Sequence, residues 1–416
     1  MLGLVKKWGY KVEYIFDNGL KLIYRKNDSK LTSICIGLEA GASVEDNVYG
    51  LAHAAEHMVY KGTKNRSEKQ INEELSKIFA FNNAMTNYPY VIYYGTLLEE
   101  DLYKGIGIFA DILLEPSFSN DGFEEEMDVI KQELNEWDED LEQYCEDRLF
   151  YNAFSNRLKY PIIGRKEDLD KITLDDIKKF YKMYYLPNNT SIAVVTALEF
   201  KEVVGLVQNY FGKWQKKELK IIEKRVEKIR EKVYYDYKVG VNSSRVEFIF
   251  SMQDINFNEM KAFKIFNEFF GEGINSVLFD TLRTKMGLVY DVLTYISYEK
   301  YIKLYKIVFN TSKEKVDEAI NAVKEVLLNI ENYKLKLNKD KRKELIKSIK
   351  LKKLFNEEKS IFLAKELAEY DVMFKDSKEY ESFLKGMENI TEEEIIRVAR
   401  RVFQSTTIEI INSKEG

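Results

Sequence analysis

Apolar and polar residues alternate with period two near the start of the chain. YKVEYIF (10–16) and LKLIYRK (20–26) flank the turn triplet Asp17-Asn18-Gly19 and predict a hairpin. LTSICIGLEAG (31–41) is almost unbroken in its apolar character, as a buried strand is. From Gly50 to Gly62 the spacing becomes helical. Ser67 is placed to cap a second helix running to Phe79. Strands are expected at Asn82–Thr86 and Val91–Thr96, then a helix ending at Leu114, then one long acidic helix from Phe123 to about Phe154. A helix, Pro187, a strand at Thr190–Thr196 and a further helix complete the first half.

The second half repeats the outline. Val233–Val239, Arg245–Met252, Val289–Ile296 and Tyr301–Asn310 read as strands. Helices are expected near Asn258–Phe270 and Ser276–Lys285, and the last hundred residues are mostly helical before a strand at Thr406–Ile411. One parallel is specific. VIYYGT followed by LLEEDLYKGIGIFADILL matches IKLYKIVFNT followed by SKEKVDEAINAVKEVLLN, each a strand, a Thr and an amphipathic helix. A duplicated α+β unit of about 200 residues follows. Nine basic and four acidic residues crowd Lys213–Lys232, which divides the chain into domains at 1–214 and 233–416 with a charged linker at 215–232.

Composition narrows the chemistry. The 416 residues carry a net charge of −5, which argues against a nucleic-acid binder. Cys35 and Cys145 form no paired motif and read as core thiols. No apolar run is long enough for a signal peptide or a membrane span, so a cytoplasmic protein with no membrane partner is expected. The chain has two histidines, His53 and His57. Two histidines fall four residues apart by chance roughly one time in two hundred, before an intervening Glu is required.

His53-Ala54-Ala55-Glu56-His57 is H-x-x-E-H, the inverse of the H-E-x-x-H zinc motif. On a helix, i and i+4 project from one face about one turn apart, so both imidazoles can hold one metal ion. Glu56 lies about 60° from His53 around the axis and can act on a water without being a ligand. Catalytic zinc takes three protein ligands, and with no third His the last must be a carboxylate. The acidic helix offers a dozen. Phe123, Met127, Ile130, Leu134, Trp137 and Leu141 share its apolar face; Glu126 and Glu133 flank that face on one side and Asp138 on the other. Helical phase alone leaves these three open.

These residues resemble the pitrilysin and insulinase family of zinc peptidases, a group that includes the mitochondrial processing peptidase and related bacterial enzymes. GLAHAAEHMVYKGT (Gly50–Thr63) matches the family's metal helix, Asn83-Ala84-Met85-Thr86 its N-A-x-T strand, and GEGINSVLFDTLRTKMGLVYDV (Gly271–Val292) its second-domain segment. The resemblance implies one Zn²⁺ per chain held by His53, His57 and Glu133, the last 76 residues beyond His57. It implies Glu56 as general base and Glu126 as the carboxylate supporting the site. Asn83, Ala84 and Thr86 would receive an extended peptide, with Arg283 and Tyr290 reaching it from the second domain. The implied fold is two homologous half-shell domains, each a mostly antiparallel sheet with helices on one face. The implied function is endopeptidase action on unfolded peptides in a closed chamber. The expected assembly is a homodimer; the alternative is a heterodimer with a related subunit, dedicated to a specific precursor or modified peptide. Departures include Ala54-Ala55 for Phe-Leu, Phe79-Ala80 for Gly-Gly, and Asn87-Tyr88-Pro89-Tyr90 after the N-A-x-T strand, all read as changes to the substrate pocket.

Overall fold

The computed structural model describes residues 4–8, 11–219 and 228–414. Tyr10 of the predicted hairpin, the first three residues and the middle of the charged stretch, 220–227, lie outside them. The chain forms two compact units, each discontinuous in sequence. The first is Met1–Asn135, Tyr160–Lys224 and Phe355–Glu381; the second is Glu136–Lys159, Arg225–Leu354 and Ser382–Gly416.

The first unit is built on a seven-stranded sheet. Its strands are β1 (Leu4–Trp8), β2 (Lys11–Ile15), β3 (Lys21–Lys26), β4 (Leu31–Leu38), β5 (Phe79–Thr86), β6 (Val91–Leu98) and β7 (Thr190–Thr196), in the order β1-β2-β3-β7-β4-β6-β5. The second unit has β8 (Val233–Val239), β9 (Ser244–Ser251), β10 (Val292–Tyr298), β11 (Lys303–Thr311) and β12 (Thr406–Lys414), in the order β10-β11-β9-β12-β8. The expected duplication is visible in the pairing. β3 runs parallel to β7, and antiparallel pairs then carry the sheet through β4 and β6 to β5. β8 runs parallel to β12, and the same antiparallel sequence leads through β9 and β11 to β10.

The helices that bear on the site and its surroundings come first: α1 (Leu51–Tyr60), α2 (Glu68–Ile78), α3 (Leu102–Leu114), α4 (Asn120–Glu139) and α5 (Leu141–Ala153). Ser67 caps α2 as expected, in a reciprocal box with Gln70. The long acidic helix is not continuous. It breaks at Asp140, whose carboxylate accepts from the Gln143 N–H and starts α5 as a new helix.

That break matters, because α5 packs on β9 and β12 of the second sheet. Reciprocally, the helix Ser360–Phe374 packs on β4 and β7 of the first. Two boundaries expected from sequence, a first domain ending at 214 and a second beginning at 233, therefore do not describe the compact units. Each half lends the other one helix; the chain leaves the first unit within α4, after Asn135, and re-enters it within the helix Lys339–Glu357, after Leu354, and no linker-like composition marks either point. Each sheet thus carries a helix on the face opposite its main helical layer.

The two lent helices meet opposite surfaces. Leu363, Ala364, Leu367, Ala368 and Val372 bury against Ile23, Cys35, Ile92, Ala193 and Val195. The face beneath α5 is charged instead. Arg245 pairs with Glu247 (2.6 Å) and Glu142 (3.1 Å), Lys306 with Glu146 (2.5 Å), and Asn152 donates to Glu409 (2.8 Å). Burial, reinforced by Glu146, Asp138 and Glu247 and opposed by a Gln143 bond, pushes the Asp147 carboxyl up to about 7. Burial likewise lifts Glu409 to about 7. A carboxyl raised in the folded state binds more protons there than in the unfolded chain, so its contribution to stability falls as pH rises from about 4 to about 7. Asp147→Asn is expected to raise unfolding stability by about 1–2 kcal/mol at pH 8 and to leave it unchanged near pH 4, read as denaturant midpoints at the two pH values.

Candidate metal centre

α1 is preceded by its cap, Gly50, whose φ of +88° is strained for any side chain; a Cβ there would stand 2.3 Å from the Ile163 carbonyl oxygen. Buried Glu45 accepts the Ala52 N–H at 2.7 Å and satisfies one orphan donor of the first turn. Ala52, Ala54, Ala55, Met58 and Val59 are fully buried, which fixes the rotation of the helix. The small residues at 54 and 55 therefore shape packing inside the unit. His53 and His57 are left facing α4.

The two imidazole Nε2 atoms are 3.2 Å apart. Glu133 Oε2 of α4 lies 3.8 Å from His53 Nε2 and 3.7 Å from His57 Nε2. Among the described residues, this is the one group of three such side chains whose ligand atoms all lie within 4.8 Å. Two imidazole nitrogens on a tetrahedral zinc, each bonded at about 2.0–2.1 Å, stand about 3.3 Å apart. Donor types and spacing therefore fit a zinc ion with an open fourth position.

The surroundings orient the ligands unequally. Glu126 Oε1 sits 2.8 Å from His57 Nδ1, whereas buried His53 Nδ1 has no hydrogen-bond partner among the described residues. Lys61 Nζ, 3.4 Å from Glu126 Oε2, also reaches Glu68 (2.8 Å) and Glu125 (3.2 Å). Burial alone would raise the Glu126 carboxyl, but His57 and Lys61 outweigh it and hold the group below its usual range. Burial, with His57 beside it, pushes His53 down to about 3, leaving it neutral, the form that binds metal. Burial raises the Glu56 carboxyl, against the Thr86 hydroxyl that donates to its Oε2.

Glu133 and Glu126 of the three open carboxylates thus reach the histidines. Asp138 does not: it is exposed, belongs to the second unit, and its backbone carbonyl accepts from Lys238. β5 is the edge strand beside α1, with Asn83 opposite Tyr94 and Thr86 opposite Val91. Asn83 Oδ1 accepts from the Ala84 N–H at 2.9 Å, and Thr86 turns its hydroxyl to Glu56. Arg283 and Tyr290 lie in the second unit, the guanidinium carbon 4.6 Å from the ring centroid of the 81% exposed tyrosine.

Two sequence departures have internal explanations. Ala80 is bulged out of the β5–β6 register, and Phe79 is buried where a Cβ on Gly95 or on Gly105 would stand 2.5 or 3.0 Å from its ring. The Asn87–Tyr90 turn is docked on Gly41, with Ala42 and Ser43 N–H groups donating to the Asn87 and Tyr88 carbonyls (3.1 and 2.7 Å). A Cβ on Gly41 would come within 2.3 Å of the Asn87 oxygen. Pro89 is a buried turn residue rather than a gap in the free edge of β5.

Lys61 was not singled out from the sequence, nor was Asp111. Asp111 accepts from Thr63 (2.6 Å), Asn65 (2.6 Å) and Arg66 (2.8 Å) and so fixes the loop that carries Lys61. The signal available was Lys61 itself, one turn beyond His57.

Residues 21–166 match the family model described as "Insulinase (Peptidase family M16)", and 171–342 match "Peptidase M16 inactive domain". An "uncharacterized zinc protease" of Rickettsia felis is 25% identical over 401 residues, covering 95% of each chain. The mitochondrial-processing peptidase subunit beta of Saccharomyces cerevisiae is 32% identical over 205 residues, covering 48% of this chain and 44% of that one. A protease structure from Helicobacter pylori superposes with TM-score 0.86 at 20% identity, covering 99% of this chain and 100% of that one. Among the described residues, no helix is long and apolar enough to cross a membrane.

Proposed function

The chain belongs to the insulinase family, peptidase family M16, and on that footing we propose that it is a zinc-dependent endopeptidase of extended, unfolded peptides. The convergence of His53, His57 and Glu133 beside a buried Glu56 carries the reading. The three side chains would hold one Zn²⁺, which when bound supplies Lewis-acid activation of water and of the scissile carbonyl. Glu56 accepts the proton of the attacking water and returns it to the leaving amine. Its raised affinity for a proton suits both halves of that task, and the Thr86 hydroxyl holds the carboxylate in position. The free edge of β5 offers main-chain groups to an extended peptide, giving affinity with little dependence on sequence. Displacing the Asn83 side chain would release the Ala84 N–H for that purpose. Arg283 and Tyr290 are assigned to substrate contact on the resemblance of their segment.

Glu126 acts through His57 by fixing its ring and tautomer. Glu126→Gln is expected to weaken zinc binding about 10–100-fold, measured by competition with a chromophoric chelator. Lys61→Met should change the affinity by a smaller factor, because it leaves the contact between Glu126 and His57 in place.

Similarity to chains named as beta subunits supports a second reading, a catalytic subunit devoted to one precursor. A peptide pool distinguishes the two. A general endopeptidase cleaves many members, with turnover lost to chelator; a dedicated subunit cleaves few until its partner is added. A zinc-loaded chain that leaves every peptide intact, alone and with candidate partners, would remove the peptidase reading.

A further inference from the structure

The charged sheet face beneath α5 hides an unfavourable pair. Glu247 of β9 and Glu409 of β12 are directly opposite in the antiparallel register, so their side chains share one face. Both residues are buried, at 1% and 0% exposure. Each has one oxygen committed: Glu247 Oε1 pairs with Arg245, and Glu409 Oε2 accepts from Asn152. The other two, Glu247 Oε2 and Glu409 Oε1, are buried with no hydrogen-bond partner among the described residues. Two carboxylates so placed repel each other and leave two acceptors unsatisfied. One proton on the pair relieves both problems, because a protonated carboxyl donates to its neighbour.

The surrounding charges call for protons too. α5 contributes Glu142, Glu146, Asp147 and Arg148 to this face, and β8 contributes Asp236 and Lys238. β9 and β11 add Arg245 and Lys306. With the glutamate pair, six carboxyls meet four cations. The Tyr144 and Tyr295 phenols and the Cys145 thiol are raised by burial and stay neutral. Two protons therefore balance the face, and Asp147, lifted to about 7, takes one. We propose that Glu247 and Glu409 share the other, and that this proton latches α5 to the second sheet, so that the helix loosens as the solution turns from acidic to alkaline. α5 follows α4 in the chain, so the latch restrains the continuation of the helix that bears Glu126 and Glu133. Freed from the sheet, the pair titrates as ordinary carboxyls at about pH 4. On the sheet, burial lifts both, Glu409 to about 7. The seat of α5 therefore weakens as pH rises from about 4 to about 7, and no further above that. None of this depends on the chemistry at α1.

The chain carries its own reporters. Cys145 is buried on α5, where Glu247, Arg245 and Glu409 act on its thiol. Cys35 is buried on β4 among the apolar residues beneath the helix Ser360–Phe374. The full chain is labelled with dithiodipyridine, and each rate is divided by that of the same cysteine in the urea-unfolded chain at the same pH. The ratio reads the opening of each helix seat. From pH 5 to pH 8 the Cys145 ratio should rise about a hundredfold, about tenfold for each of the two protons, while the Cys35 ratio lags well behind. Glu409→Gln should leave a rise of about tenfold, the share of Asp147. Its amide oxygen still accepts from Asn152, and its NH₂ donates to Glu247 Oε2 at every pH. Glu247→Gln should act likewise from the other strand, and adding Asp147→Asn to either should flatten the profile. A Cys145 ratio that stays flat or merely follows Cys35 overturns the proposal. So does a rise that Glu409→Gln and Glu247→Gln both leave intact.

Discussion

Glu56→Gln is expected to keep one zinc per chain and to cleave peptides about 10²–10⁴-fold more slowly than the wild-type chain. The side chain is 8% exposed, and its Oε2 accepts the Thr86 hydroxyl. Glutamine preserves the shape and can still accept that bond through its amide oxygen, so the helix and the two imidazoles should not move. What it cannot do is take up a proton. The loss should appear in kcat with little change in KM, because the proton transfers proposed for Glu56 belong to the chemical step and not to peptide binding. Zinc analysis and steady-state kinetics on one preparation separate the outcomes. Loss of metal together with activity would make Glu56 a structural group, and undiminished turnover would exclude it as the base.

His57→Ala is expected to abolish stoichiometric zinc, and peptidase turnover with it. The chain has no histidine beyond these two, so nothing can replace the missing donor. A single imidazole and one carboxylate do not make a catalytic zinc site. The variant also releases Glu126 from its bond to His57 Nδ1, leaving Lys61 as its neighbour within the site. A thermal readout makes the test independent of activity. Metal that binds only the folded chain stabilises it by RT ln(1 + [Zn²⁺]/Kd). Added zinc should therefore raise the melting temperature of apo wild-type protein and leave His57→Ala unmoved. A zinc-dependent shift that persists in the variant would place the ion elsewhere.

The part of this site closest in sequence was the most legible. His53, Glu56 and His57 lie within two turns of one helix, where geometry is set by local periodicity alone. Glu133 was harder. Helical phase reduced a dozen acids to three but could not separate Glu126, Glu133 and Asp138, because all three flank the same apolar face. Asp138 is set apart because α4 leaves the first unit after Asn135, and Glu126 is set apart from Glu133 because it meets His57 Nδ1 while Glu133 lies by the two Nε2 atoms. The start of α5 was written in the sequence as Asp140, three residues before the Gln143 N–H it caps, but a continuous run of helix formers concealed it. The slot for Phe79 depends on two glycines distant in sequence, and the seat of the Asn87–Tyr90 turn on Gly41. Such close approaches are tertiary, and no single segment announces them. The repeated sheet, by contrast, was readable from two matching strand–helix segments, because each copy folds by the same local rules.

The exchanged helices impose an order on the birth of the molecule. All seven strands of the first sheet have been translated by Thr196, yet the helix that closes its second face does not begin until Ser360. At about 5–20 residues per second, the ribosome takes about 10–30 s to supply it. Throughout that interval Ile23, Ile92, Ala193 and Val195 lack their covering layer, and the Cys35 thiol, buried in the finished protein, lies open beside them. The nascent chain thus carries its greatest hazard of aggregation and oxidation midway through synthesis, a stage at which a holding chaperone has a defined apolar surface to occupy.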